Sequence, residues 1–507
     1  MSSIRLDVYS HFIKVTGFTP KGKEALLQFC RGIAQYGLVR VGHNRFTKQM
    51  IRVFCGVTAD RSEFHFHFNQ YKDLLSHLQA CGFNLNEIKS VVHPAAPGVD
   101  VELKLRSDIQ ERDYQIPIGK YILEDGHIKA LTLQTGRGKT LTALVAAARI
   151  GKRTLLSIKG MYVDKWTADV VDAYGLKPGE LIVVKGGKQL KAIIELAKAG
   201  EMHAKFIIIT NKTLQMFLQD YERFNGSNQA YGCSPMELYS LLGIGFYVRD
   251  EVHQDFHLVF RVDLYTHVAK TLNLSATLDP DDPFIRRMYE TAYPLHMRYQ
   301  GGTYDKYIAV EALTYSLNDT KKVRWQNFSR KSYSHVIFEQ SLMKHPVYLN
   351  NYLDLITKIA HQSYVSVREA GQRMLIFAAT KEMCTIIQGH LQKRFRDLKV
   401  ARYISEDEYE VLLNSDISVS TLKSAGTAVD VPGLRVTLMT DALGSRQMNE
   451  QALGRTRRLK DWPDVTPKFL YLVCLQIPKH IEYHSKKYEI FKGKVISHKE
   501  LGTGMRV

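Results

Sequence analysis

Leu131-Thr-Leu-Gln-Thr-Gly-Arg-Gly-Lys-Thr140 is the stretch on which the fold turns. The apolar run Ile128 to Leu133 reads as a buried parallel strand. It breaks at Thr135-Gly136-Arg137-Gly138, and a helix-forming run from Leu141 to Arg149 follows. Glycines in such a turn let backbone N–H groups approach a phosphate, and the new helix adds its positive end. Lys139 would then reach the β- and γ-phosphates of a nucleotide, and Thr140 would hold Mg²⁺. The pattern G-x-x-x-x-G-K-[ST] has Leu133 in place of its first glycine, so a plain glycine-rich turn remains an alternative for this stretch alone.

Working outward, Thr154-Leu-Leu-Ser-Ile158 and Phe206-Ile-Ile-Ile-Thr210 are short β-rich runs, each after a helical stretch. That is the β-α-β rhythm of a parallel sheet, whose ligands gather at the carboxyl ends of the strands. Lys159, Gly160, Thr210, Asn211 and Lys212 stand at such ends and suit phosphate contacts; ordinary strand-end loops explain them equally well. Ile244-Gly-Phe-Tyr-Val248 leads into Arg249-Asp-Glu-Val-His-Gln254. Of two adjacent carboxylates at a strand end, Asp250 would hold the metal and Glu251 would orient and deprotonate water, with His253 linking to the next segment. Leu272-Asn-Leu-Ser-Ala-Thr277 repeats the pattern, and Ser275 and Thr277 can hydrogen-bond those carboxylates. Upstream, Arg112-Asp-Tyr-Gln115 offers an amide that can pair with adenine and a guanidinium that can stack on it.

This succession (Tyr114-Gln115, Gly136 to Thr140, Asp250 to His253, Ser275 to Thr277) resembles a superfamily two helicase of the DExH kind. The resemblance implies an α/β protein with two tandem RecA-like parallel-sheet domains and ATP with Mg²⁺ in the cleft between them. Arg373-Met-Leu-Ile-Phe-Ala-Ala-Thr380 and a helix from Lys381 match the opening of a second such domain. Asp416 to Ser420 reads as a further strand, followed by Thr421 to Gly433 and by Gln451-Ala-Leu-Gly-Arg-Thr-Arg-Arg458, which fits Q-x-x-G-R-x-x-R. By resemblance Gln451, Arg455 and Arg458 serve the γ-phosphate, the arginines as fingers that neutralise transition-state charge. Thr135, Gly136, Arg137, Gly138, Gly426 and Asp430 would contact the nucleotide, although Ala428 stands where the family usually has a glycine. Thr380, Thr421 and Lys423 would touch nucleic acid. A small basic N-terminal block, compact motor and short basic tail look most like the UvsW-type helicases of bacteriophages.

Length and composition agree. A chain of 507 residues exceeds one core. The expected divisions are a small α+β domain (1–104), a nucleotide-binding domain (105–300), a polar connector (301–345), a second RecA-like domain (346–475) and a basic tail (476–507). The excess of 69 Lys+Arg over 51 Asp+Glu favours a polyanionic partner. In the first fifty residues eight Lys/Arg face two Asp/Glu, which suits a nucleic-acid contact or simply a solvated surface. Phe64-His-Phe-His-Phe68 alternates as a half-buried strand; His65 and His67 without nearby Cys or carboxylate partners make a poor metal site. Six scattered cysteines without a C-x-x-C pair point to reduced thiols. With no apolar run of membrane length and no signal-peptide core, the chain is expected to stay in the cytoplasm, of a host cell if phage-encoded, as a monomer away from membranes.

The function expected is ATP-dependent unwinding or branch migration of branched or forked DNA. An RNA helicase, a duplex translocase that remodels protein–nucleic-acid complexes, and a non-catalytic basic binding protein with a degenerate ATPase fold are the alternatives.

Overall fold

The computed structural model describes the whole chain except residues 1–3, 43–44, 135, 228–229, 300–304, 328–331, 405–406 and 426–430. It falls into two compact units, Met1–Leu133 with Arg137–Gly302, and Gln134–Gly136 with Thr303–Val507.

The first unit opens with a five-stranded sheet built from β1 (Arg5–Val8), β2 (Phe12–Thr16), β5 (Gly56–Val57), β6 (Phe64–His67) and β7 (Lys89–Val92), in the order β5-β6-β2-β1-β7. Only the β1–β7 pair is parallel. Between β2 and β5 the chain forms the helix Pro20–Gly32 and a separate antiparallel ribbon, β3 (Ala34–Gly42) with β4 (Arg45–Val53). This is the expected small α+β block, but it does not stand apart. It shares one continuous core with the parallel-sheet domain that follows.

β6 shows why. A half-buried strand was expected, yet all of Phe64 to His67 is buried. Phe64 and Phe66 meet Phe18 and Phe29 on one face. On the other, His65 stacks on Tyr265 and His67 lies against Phe260 of the next domain. His65 is held by the Leu264 carbonyl (3.1 Å) and Glu63 (3.4 Å), and His67 Nδ1 accepts the Asn69 N–H (3.2 Å). Among the described residues no cluster of His, Cys, Asp or Glu is arranged to hold a metal. The segment His93–Gly98 that follows β7 meets the parallel-sheet domain at its end. A Cβ on Gly98 (φ +77°) would come 2.3 Å from the Gly245 nitrogen, so the close approach requires glycine.

The parallel sheet contains β8 (Ile128–Thr132), β9 (Thr154–Ile158), β10 (Leu181–Val184), β11 (Phe206–Thr210), β12 (Phe246–Arg249) and β13 (Lys270–Ser275), in the order β10-β11-β9-β12-β13-β8. Every pairing is parallel. The continuous apolar runs follow from that, since a parallel strand has helices on both faces and no polar side to alternate with. β11 is buried at all five positions.

The second unit is a seven-stranded parallel sheet of β14 (Ala309–Ser316), β15 (Arg373–Ala378), β16 (Val400–Tyr403), β17 (Ile417–Thr421), β18 (Leu434–Met439), β19 (Lys468–Cys474) and β20 (Ser497–Arg506), ordered β16-β17-β15-β18-β19-β14-β20. Met374 and Ile376 of β15 enter one core and Leu375 and Phe377 the other, so both faces are covered. Two expectations change here. Residues 301–345, expected as a connector, supply β14 and the helix His335–Met343. The tail expected from 476 supplies the helix Pro478–Phe491 and the edge strand β20, paired in parallel with β14. Charge hid the two strands: β14 sits between partners and needs only a short apolar run, and β20, at the edge, is largely exposed. No helix among the described residues is long and apolar enough to cross a membrane.

Candidate functional site

The loop after β8 does what its glycines allow. Gly136 (φ +85°) and Gly138 (φ +73°) both adopt left-handed backbone, and Gly138 starts the helix Lys139–Ile150. A Cβ at Gly138 would meet Gln115 Nε2 at 2.8 Å. No acidic residue sits in the first turn of the helix, so its amides and positive end are left for an anion. Thr135 lies outside the described residues.

Because β13 runs between β8 and β12, the carboxyl ends of all three strands meet. Leu133 N–H donates to the Ser275 carbonyl at 3.1 Å. Lys139 Nζ pairs with Glu251 Oε1 at 3.1 Å. Glu251 Oε2 lies 3.2 Å from His253 Nδ1, which is 2.8 Å from Ser275 Oγ. The Ser275 hydroxyl donates to the Thr277 carbonyl, so toward His253 it can only accept, as does the Glu251 carboxylate. Nδ1 of His253 therefore carries the proton. Burial holds this imidazole down to about 4, which keeps the ring neutral. Lys139, Glu251, His253, Ser275 and Thr277 thus form one connected chain.

Asp250 is fixed from both sides. Its Oδ1 accepts the N–H of Glu251 and its Oδ2 accepts Trp166 Nε1–H, each at 2.9 Å. Burial first, then the neighbouring Glu251, push its carboxyl up to about 6. Glu251 itself has φ +52°, a left-handed conformation that costs a non-glycine residue about 1 kcal/mol or more. The oxygen donors Thr140 and Asp250 suit a hard cation such as Mg²⁺, and a buried carboxylate displaced upward in pKa is one that a cation would return to its charged form.

Trp166, in the helix Val163–Tyr174, has no sequence signal: 84 residues separate it from Asp250. Arg249 is another unexpected participant. It is buried in a pair with Asp263, donates to Thr266 (2.9 Å) and Asn273 (3.3 Å), and so fixes the end of β12 beneath Asp250.

Gln115 is 1 % exposed, its Oε1 accepts the Arg112 N–H (3.0 Å), and its Nε2 donates to Thr142 (3.0 Å). A buried amide satisfies itself on its neighbours, and these bonds tie Gln115 to the start of the helix Lys139–Ile150. The exposed Arg112 donates to the Tyr114 hydroxyl (3.3 Å), and the Arg137 guanidinium lies over the Tyr114 ring (4.0 Å).

The strand-end group divides. Thr210 and Asn211 are buried, and Thr210 caps the helix Asn211–Arg223 through the Thr213 N–H at 3.3 Å. Lys212 is exposed beside Gln215 (3.3 Å), Gly160 is open, and Lys159 pairs with Asp255 (3.3 Å).

In the second unit, the carboxyl ends of β15, β17 and β18 border a cavity of about 470 Å³ whose lining includes Lys381, Thr421, Lys423 and Asp441. Thr380, beside it, is engaged by Glu339: the Ala379 and Thr380 N–H groups (2.8 Å each) and the Thr380 hydroxyl (2.7 Å) all donate to that carboxylate. Gln451 lies in the helix Arg446–Leu453 and is 9 % exposed; Arg455, just beyond, is 7 % exposed. Arg458 grips Asp305 with two bonds, 3.1 and 2.8 Å, and lies over Tyr307. Gly426 and Asp430 fall outside the described residues.

No family model and no curated protein matches the chain. Solved structures do. Dbp5 of S. cerevisiae bound to RNA and ADP BeF3 is 12 % identical, with TM-score 0.50, covering 78 % of this chain and 90 % of that one. The Hef helicase domain of Pyrococcus furiosus is 17 % identical, with TM-score 0.47, over 75 % of this chain and 99 % of that one. T4 UvsW is 11 % identical, with TM-score 0.34, over 99 % of both chains. Only the first likeness reaches a TM-score of 0.5, and at its identity what it shows is a fold: two RecA-like parallel-sheet domains, here preceded by an α+β block.

Proposed function

We propose that the chain is a nucleic-acid-stimulated ATPase of the superfamily two helicase kind that unwinds or branch-migrates branched DNA. The observation that supports it best is the linked set Lys139–Glu251–His253–Ser275 at the joined ends of β8, β12 and β13.

In this reading Lys139 leaves Glu251 for the β/γ-phosphates when ATP arrives, which frees the carboxylate to orient and deprotonate water. The amides that start the helix Lys139–Ile150 hold the phosphates. Thr140 and Asp250 would hold Mg²⁺, which would neutralise charge on the phosphoryl oxygens. Neutral His253 donates to Glu251 or to Ser275, so a change at the phosphate reaches the Ser275–Thr277 turn through one proton-bearing nitrogen. Arg455 and Arg458, with Gln451, complete the phosphate site on closure of the two domains. Lys159, Lys212, Thr421 and Lys423 contact the nucleic-acid backbone.

The test is ATP turnover with single-stranded, duplex and forked DNA and with RNA. Lys139→Ala and Glu251→Gln should each lower stimulated turnover at least about 10²-fold, and Arg455→Ala about 10³-fold. Unchanged turnover in Lys139→Ala would refute the assignment. Stimulation by RNA and not by DNA would favour an RNA helicase, and turnover on duplex without strand displacement a translocase.

A further inference from the structure

The ribbon β3–β4 has no part in ATP chemistry. Its strands are nine residues each, so it is about 30 Å long, and among the described residues they pair only with each other. Between Ala34 and Val53 lie Arg40, Arg45, Lys48 and Arg52, with no Asp or Glu. Tyr36 and Met50 face each other across the pair and are 41 % and 54 % exposed. Lys48, two residues from Met50, lies on the same side with its ammonium 5.6 Å from the Tyr36 ring.

The root of the ribbon is fixed in the first RecA-like domain. Phe54, directly after β4, packs against Phe256, Phe260 and Phe284. A His257 ring nitrogen lies 2.8 Å from the Val53 carbonyl. On the other strand Gln35 donates to Asp282 at 2.8 Å, and Arg287 donates to the Gly32 carbonyl at 2.7 Å. The helix Phe256–Asp263 follows Glu251 by a short loop, and Asp282 caps the helix Pro283–Ala292, which follows Thr277 by another. The loops that carry Glu251 and Thr277 thus lead into helices that hold the ribbon's root.

Resting on the ATPase reading, we propose that the ribbon is a duplex-DNA grip that lies in the major groove and signals bound duplex to the Glu251 and Thr277 loops. Four cations in a stretch whose own sequence holds no Asp or Glu favour a polyanion. The major groove of B-form DNA, about 12 Å wide, admits a two-stranded ribbon; the deep, narrow major groove of duplex RNA does not. Tyr36 and Met50 supply apolar contact to base edges while Lys48 and Arg52 meet the flanking phosphates.

The experiment uses the full chain carrying Lys48→Gln with Arg52→Gln, and separately Tyr36→Ala. Affinity for duplex DNA, single-stranded DNA and duplex RNA is read by fluorescence anisotropy at several salt concentrations, with thermal melting to check folding. The double variant should bind duplex DNA about tenfold more weakly, with the log–log salt slope smaller by about 2. Single-strand affinity should hold, duplex stimulation of ATP turnover should fall, and Lys48→Arg should restore duplex binding. Unchanged duplex affinity and slope, the outcome if an acidic protein is the occupant, overturns the grip while leaving single-strand-stimulated ATPase, and hence the broader reading, intact. Equal losses on duplex DNA and duplex RNA overturn the groove assignment. A wild-type chain that no nucleic acid stimulates would sink the broader reading instead.

Discussion

Trp166 and Asp263 are residues whose importance only their neighbours reveal. The Trp166 N–H fixes Asp250 from behind. Partners of this kind are worth about 10- to 100-fold in metal affinity or activity. Trp166→Phe should therefore raise the Mg²⁺ concentration for half-maximal ATP turnover by about tenfold while leaving the melting temperature nearly unchanged. Equal Mg²⁺ titrations would remove Trp166 from the site. Asp263 neutralises Arg249, and both are about 1 % exposed. Removing one member of a buried pair costs about 3–5 kcal/mol, so Asp263→Ala should destabilise the first unit by that order in urea unfolding. A loss below 1 kcal/mol would show that Thr266 and Asn273 suffice. His253 was legible as a linker from its spacing; the tautomer that lets it link was not, because it depends on where the Ser275 hydroxyl points.

Among elements, the glycine turn after β8 and the helix that starts at Lys139 were legible because glycine, lysine and a helix start are local properties. The Gln115 segment was not, because its amide chooses partners, Thr142 and the Arg112 N–H, that only the fold brings near. The helix His335–Met343 was hidden in the expected connector, yet its Glu339 holds three donors at the carboxyl end of β15. Glu339→Ala leaves buried donors unmet and should destabilise the second unit by about 2–4 kcal/mol. Glu339→Gln, which keeps an acceptor oxygen, should cost less. Equal melting curves for the two variants would deny the carboxylate this role.

Over the whole molecule the titrating groups pull in two directions. Burial lowers His67 and His480 to about 3 and His253 and His498 to about 4, and it lowers His11 and His335 as well. Each contributes stability that is present above pH 6.5 and is lost as pH falls toward its folded value. Burial raises Asp250 to about 6 and Glu339 and Asp441 to about 7, with Asp263 also raised, and those groups lose stability as pH rises through the same range. Each group is worth up to about 1.4 kcal/mol per pH unit, and with His65, His257, His267 and His390 also lowered, ten histidines among the described residues outnumber the four raised carboxylates. The chain should therefore unfold at lower urea at pH 5 than at pH 7, and a midpoint that rises on acidification would contradict this balance. The sequence by itself determined the two parallel sheets and the order of motifs at their strand ends, because strand hydrophobicity, turn glycines and the spacing of charged residues are encoded locally. Only the tertiary structure decided that the N-terminal block shares the first domain's core, that β14 and β20 complete the second sheet, and that Trp166 stands behind Asp250, because burial depends on which distant surface arrives to cover a residue.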